Sequence, residues 1–370
     1  MPSPAIDPIR ARRDGTGLRA YDPSRCHQGY TLFTPMNGDG SVYLIDMKGS
    51  VVHTWPMPHP PGLYGHLLEN GNLLYNGKIL DDLDRFPSWG RWKGGVVLEA
   101  DWSGRVLWEV RHPDHHHDAC KLRNGNVLLL CLTPMPQGLI PLIQGGLPDT
   151  EADGRMYADY LLEVTTEGEE VWRWNSWEHL DPNTDRITPQ DRRCEWTHGN
   201  TVAEMPNGDI LISLRNISTV AIVERATGKL TWKLGSPPLA QQHDPKPLAN
   251  GNFLIFDNGA HRVDHPLPYS RVIEVDPKSK NIVWTYQEET LYYFFSPYIS
   301  GAQRLDNGNT LICEGNFGRL FEVTQNGDLV WEYVSPHFHR PKDAPNSPPT
   351  NAVFRAFRYT AAQLPHLYSS

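Results

Sequence analysis

One motif recurs six times along this chain and limits what it can fold into. It is an apolar run closing on an acidic or polar residue, a short turn that usually holds glycine, and a second apolar run ending in tryptophan. VYLIDMKGSVVHTW is the first copy and RLFEVTQNGDLVWEY the last; the tryptophans are Trp55, Trp108, Trp172, Trp232, Trp284 and Trp331. Each copy reads as two strands joined by a tight hairpin. A period of roughly 50–60 residues is that of propeller blades, far above a leucine-rich or coiled-coil repeat. A second pattern precedes five of the copies: a strand, an Asn-Gly turn and another strand, as in HLLENGNLLYN and HDPKPLANGNFLIF. Asn-Gly favours two-residue hairpins because both residues tolerate positive φ. With strands lettered A to D from the axis outward, the second pattern supplies A and B and the first supplies C and D. The expected fold is all-β, a six-bladed β-propeller, and the tryptophans are expected to pack between blades.

The first blade lacks an A strand. Residues 30–35 supply its B strand and residues 42–55 its C and D strands, with no Asn-Gly hairpin before them. The C-terminal run at 351–359 is the one strand-like segment left over. Closing the ring with it would remove an exposed edge and bring Arg355 or Arg358 toward the channel. The expected organisation is therefore an N-terminal extension, 1–26, poorly ordered, followed by one propeller, 27–370.

Composition narrows the partners. A hydrophobic share of 39% can fill a substantial core. The net charge of -9 speaks against a general nucleic-acid binder, which needs a basic stripe. No run of 18 apolar residues exists to span a membrane. Arg12-Arg13 is followed by no apolar segment, so a cytoplasmic location is expected. The five cysteines are scattered, with no CxxC pair and no zinc spacing, as expected of reduced thiols. The oligomeric state is open at this level.

Topology assigns the chemistry to one end. In a four-stranded meander the A–B and C–D turns share one face, and the B–C and D–A connections share the other. The long connections here are 134–158, 176–195 and 287–299, all of the second kind. Long loops at one end of a rigid scaffold commonly carry function. Each A strand starts at that end. Counted back from the turn asparagine, His117 and His243 stand seven residues away and His115 and His198 nine. All are odd separations, which share one side of a regular strand. His66 stands four away and is out of phase unless a bulge intervenes. Arg215, at the far end of a B strand, returns to the same mouth. His117, His198, His243 and Arg215 are thus the catalytic candidates, and Asn200, His66, His115 and Arg355 the substrate-binding ones. Asp118 and Asp244 either orient the imidazole before them or end a loop. Lys78 shares Arg215's register but reads as a solvated charge. Loop 134–158 is expected to overhang the mouth, offering Leu139, Ile140, Leu142 and Ile143 to an aromatic ring.

These residues resemble the bacterial aryl-sulfate sulfotransferase family. The resemblance rests on HHHD ending at Asp118, THGN at 197–200, SLRN at 213–216, and QQHD followed by FLIFDNG ending at Gly259, and it extends over residues 29–359. It implies a six-bladed propeller that moves a sulfuryl group from a phenolic sulfate ester to a phenol without a nucleotide donor or other cofactor. His243 is similar to that family's transient sulfohistidine and His117 to its acid/base histidine. His198, Asn200 and Arg215 resemble its sulfuryl-binding group. The residue chemistry agrees. A neutral imidazole can attack sulfur and split one transfer into two, a second can carry the proton, and arginine offers forked donors to an oxyanion. Two other readings compete. A transition metal held by His66, His117, His198 and His243 would make a metal-dependent enzyme acting on a small aromatic or anionic substrate. A non-catalytic binding propeller would need no clustered histidines.

Overall fold

The structure, a computed structural model, describes residues 15–87, 89–341 and 344–368. Six antiparallel sheets of A–B–C–D order account for the repeat. Blade one is Val353–Tyr359, Tyr30–Pro35, Ser41–Ile45 and Val51–Pro56; blade two is Pro61–Leu67, Leu73–Lys78, Gly95–Ala100 and Val106–Arg111. Blade three is His115–Lys121, Val127–Pro134, Tyr157–Val164 and Glu170–Asn175; blade four is Gly199–Glu204, Ile210–Leu214, Thr219–Val223 and Leu230–Leu234. Blade five is His243–Pro247, Phe253–Asp257, Arg271–Val275 and Ile282–Tyr286; blade six is Gly301–Arg304, Thr310–Glu314, Arg319–Val323 and Leu329–Val334. Each A strand touches the A strand of the next blade, and blade six returns to blade one, so the ring is closed.

Closure comes from the C-terminal strand. Val353–Tyr359 runs antiparallel to Tyr30–Pro35, with Tyr359 opposite Tyr30 and Ala356 opposite Phe33. The N-terminal boundary differs from expectation. Gly17–Tyr21 pairs with Leu329–Val334 as a fifth, outermost strand of blade six, and Cys26 is buried in the same core. Residues 17–26 are therefore part of the propeller, since the outer edge of blade six is free to accept a strand. Residues 1–14 of the expected extension lie outside the described residues.

The repeat's chemistry explains how blades are built and joined. In blades two, three, five and six the acidic residue of the C run is buried and accepts hydrogen bonds from asparagine side chains of its own A–B turn. Asn70 and Asn72 donate to Glu99 at 3.1 and 2.6 Å, and Asn250 and Asn252 to Glu274 at 2.9 and 2.7 Å. A charged acceptor thus pins those four hairpins to the third strand. The tryptophans link neighbours, as expected. Trp232, Trp284 and Trp331 donate their indole N–H to Pro277, Gln325 and Met47 carbonyls in the next blade's C–D turn. In blade three that role falls to Trp174, which donates to Gly228 O at 2.8 Å. All five cysteines are free. No helix of the described residues is long and apolar enough to cross a membrane.

Candidate active site

The A strands do not start regularly. His117, His198, Gln241, Asp244, Ile299 and Ser300 all have positive φ, and the A–B registers of blades two to five are interrupted by bulges. Counting by twos therefore fails near the mouth, and the bulges themselves aim the side chains. His117 and His198 meet with ring centroids 4.8 Å apart at 78°. Phe354 of the closing strand lies 6.3 Å from both His117 and His243. Arg215 bears electrostatically on both His117 and His243. Three histidines and one arginine from blades three, four and five thus share one buried site.

Each ring is held by a different partner. His243 Nδ1 lies 2.8 Å from Asn258 Oδ1. The Asn258 amide nitrogen donates to Ser296 O and Ile299 O, both at 2.8 Å, so its oxygen must face the imidazole. His243 consequently carries its proton on Nδ1 and its lone pair on Nε2, which accepts a long 3.2 Å bond from Ile299 N–H. Burial, and then the charge of Arg215, push this imidazole well below its ordinary pKa, so it is neutral. Burial likewise drives His117 down, reinforced by His198, His116, His243 and Arg215. His198 Nδ1 is 2.7 Å from Glu195 Oε2. Arg215 contacts Asp191 at 3.4 Å and Asn216 Oδ1 at 3.1 Å.

Four candidates are placed elsewhere. His115 accepts Gly95 N–H at 3.0 Å and packs on Gly94, where an added Cβ would collide with its ring. The positive φ at His117 turns the two rings of this motif apart. Asn200 is buried between blades, donating to Gln242 O at 2.9 Å and accepting from Thr201 Oγ1. Arg355 reaches the axis and is tied there to four other blades, its Nε alone lacking an aligned acceptor. It contacts Asp118 and Asp244, each at 3.1 Å, and donates to Tyr64 Oη, Thr201 Oγ1 and Asn200 O at 2.7–3.0 Å. Asp244 in turn accepts Ala302 N–H of blade six at 3.1 Å. This hub ties all six blades at the floor of the site, and Asp118 and Asp244 serve it rather than any histidine. His66 lies beyond the hub, stacked on Tyr64 and tilted against Phe357, in a separate cavity of about 430 Å³. The set His66, His117, His198 and His243 is therefore not assembled as metal ligands. Among the described residues no cluster of three or more His, Cys, Asp or Glu has a metal-binding arrangement.

The roof also departs from expectation. Ile140 and Ile143 of loop 134–158 are buried in the core shared by blades three and four, while Leu142 points outward. The ring over the histidines is Trp92, from the B–C connection of blade two, stacked 5.2 Å from His117 and edge-on to His198 at 5.8 Å. Tyr298 flanks it at 6.2 Å. Lys78 is not a merely solvated charge; it donates to Gly90 O at 2.9 Å and anchors the turn that carries Trp92. Residues 152–157 do reach the crevice beside Trp92, a space of about 1030 Å³.

The sequence profile of the arylsulfotransferase (ASST) family matches residues 68–336, which hold the A–D strands of blades three to six and every residue of the histidine cluster. The chain belongs to the arylsulfotransferase family. Among curated proteins it is 24% identical to the arylsulfate sulfotransferase AssT of Escherichia coli O6:H1 (strain CFT073) over 63% of this chain and 51% of that protein. The chain thus spans about half the length of that relative. Among solved structures it is similar to a Bacteroides caccae protein of unknown function, with a TM-score of 0.55 and 15% identity over 90% of this chain and 99% of that one. That likeness concerns the fold. Around the histidine cluster, sequence reasoning missed Asn258, Glu195, Asp159, His116 and Trp92. Asn258 was findable, because it follows the B strand of blade five just as Arg215 follows that of blade four.

Proposed function

We propose that this arylsulfotransferase moves a sulfuryl group from a phenolic sulfate ester to a phenol through a sulfohistidine at His243, with no nucleotide donor and no metal. The observation that carries the reading is the forced orientation of Asn258, which leaves a neutral imidazole with an in-plane lone pair on Nε2 beside Arg215. Nε2 attacks sulfur and the aryl C–O–S bridge breaks at sulfur–oxygen. The ring becomes an N-sulfo imidazolium whose Nδ1–H stays on Asn258. The weak Ile299 N–H contact is surrendered in that step. Arg215 and His198 hold the peripheral oxygens, as donors aimed at developing charge should. His117 supplies the proton to the departing phenolate and recovers it from the acceptor phenol. Trp92 and Phe354 give the aromatic ring of the substrate its walls.

The test is turnover of 4-nitrophenyl sulfate with a phenol acceptor and no nucleotide sulfate. Sulfated acceptor should form with parallel double-reciprocal lines, the signature of two half-reactions. Hydrolysis without transfer, or activity lost to a chelator and restored by a metal ion, overturns the reading.

A further inference from the structure

The role assigned to His117 raises a physical difficulty. An imidazole buried among His198, His243 and Arg215 is a poor place to store a proton, yet the departing phenolate needs one. Behind His117 stands a chain the sequence motif half reveals. His117 Nδ1 is 2.7 Å from His116 Nδ1, and His116 Nε2 is 2.9 Å from Asp159 Oδ1, an ion-pair contact without hydrogen-bond alignment. All three side chains are at most 2% exposed. Asp159 is fixed in turn: its Oδ2 accepts Gly199 N–H at 2.6 Å and the Thr197 hydroxyl. Two facing Nδ1 atoms at that distance can share a single proton only, so one ring's tautomer dictates the other's.

We propose that His116 and Asp159 are positioning residues that form a proton relay through His117, resting on the sulfuryl-transfer reading above. With the extra proton aboard, His116 is doubly protonated between Asp159 and His117. His117 is then neutral with its hydrogen on Nε2, facing the site. When the phenolate leaves, it takes the Nε2 proton, and the proton between the two Nδ1 atoms shifts onto His117. His116 is left neutral with Nε2–H toward Asp159. In the second half-reaction the acceptor phenol returns a proton to His117 Nε2 and the shift reverses. Atoms and charge balance over the cycle, and the positive charge rests beside a carboxylate rather than beside Arg215. The groups facing the pair are Asp159 from strand C of blade three, His115 on its own strand, the Lys93 backbone, Trp92, His198, His243 and Arg215. Asp159 is the carboxylate of that set, and although burial opposes its charge, His116, Thr197 and Gly199 keep it ionised.

The experiment compares two donors in the full chain, with Asp159→Asn and His116→Gln. 4-Nitrophenolate departs without help; phenolate does not. Sulfation of the enzyme by phenyl sulfate should slow about 100-fold in each variant, the size of general acid catalysis, with less than about threefold loss for 4-nitrophenyl sulfate. The phenyl sulfate reaction should also lose its alkaline limb in the pH profile. Equal losses for both donors with an unchanged profile would reduce these residues to structural support and overturn the relay. If the wild type is sulfated by neither donor, the parent reading fails and takes the relay with it. A readout free of folding effects is the ring-nitrogen NMR of histidine-labelled wild type. One extra proton shared by His116 and His117 is expected at the pH where phenyl sulfate is turned over, and a pair that never carries it overturns the proposal.

Discussion

Asn258 Oδ1 accepts the Nδ1 proton of His243 at 2.8 Å, and its own amide hydrogens are both spent on carbonyls. That contact decides which imidazole nitrogen can act on a substrate. Asn258→Ala should leave the propeller folded but free the ring to take either tautomer. The rate of His243 modification is expected to fall about 100-fold with little change in donor affinity, measured by pre-steady-state release of 4-nitrophenol. Asn258→Asp should retain more activity than the alanine variant, because a carboxylate still accepts from Nδ1.

Arg215 has two effects that separate by measurement. As an oxyanion donor its loss in Arg215→Ala should lower kcat/KM by about 2.7–4 kcal/mol, the range for one such donor. As a nearby cation it also helps depress the His243 pKa, second to burial. Removing it therefore raises that pKa, and the acid limb of the reaction moves to higher pH. Because burial is the larger cause, the shift should be modest. A limb that moves down on removal of the charge would contradict the assignment.

The Arg355 hub predicts a stability effect without a substrate effect. Arg355→Leu leaves Asp118 and Asp244 buried without their shared cation, although Lys246 stays 2.8 Å from Asp244. Breaking a buried pair in this way costs about 3–5 kcal/mol, so the urea midpoint should fall sharply. Adding Asp118→Asn to that variant should recover part of the loss, which a mere cavity effect would not allow.

Stability should also depend on pH in a window set by histidines. Burial holds His66 and His115 at about 3 and drives His117 and His243 well below the ordinary value. Their folded-state pKa values are depressed, so the stability they permit is present above the unfolded value of about 6.5 and is lost as pH falls below it. Each contributes a loss of roughly 1.4 kcal/mol per pH unit below that point. Asp118, raised by burial, works in the opposite direction at lower pH. Urea titrations at neutral and mildly acid pH should show stability falling well before carboxylates titrate.

The repeat made the blades, the closing strand and the mouth that gathers the histidines legible, because tryptophan spacing, Asn-Gly turns and the missing A strand are local signals. It also singled out His117, His198, His243 and Arg215, which the structure brings together, though the count by twos was faulty: the strands bulge where the histidines sit. The same faulty regularity put His115 into the site and left His66 undecided. Asn200 and Arg355 are engaged in contacts between blades that the sequence does not display, because such contacts are tertiary facts. Arg355 meets Asp118 across 237 positions of sequence. Asp159 stands in the mostly apolar strand YADYLLEV, four residues before the Glu163 that the repeat accounts for, and this second acid was a signal passed over. Trp92 lies on a connection whose path no periodicity describes.

The central claim is the covalent step at His243. Wild-type protein mixed with 4-nitrophenyl sulfate, without acceptor, and quenched for intact and peptide mass spectrometry tests it most directly. The protein should gain about 80 Da, one SO₃ group, on the peptide carrying His243, and lose it when a phenol is added. His243→Ala should gain nothing. Turnover by a protein that never carries the added mass, or a label on any other residue, would contradict the account.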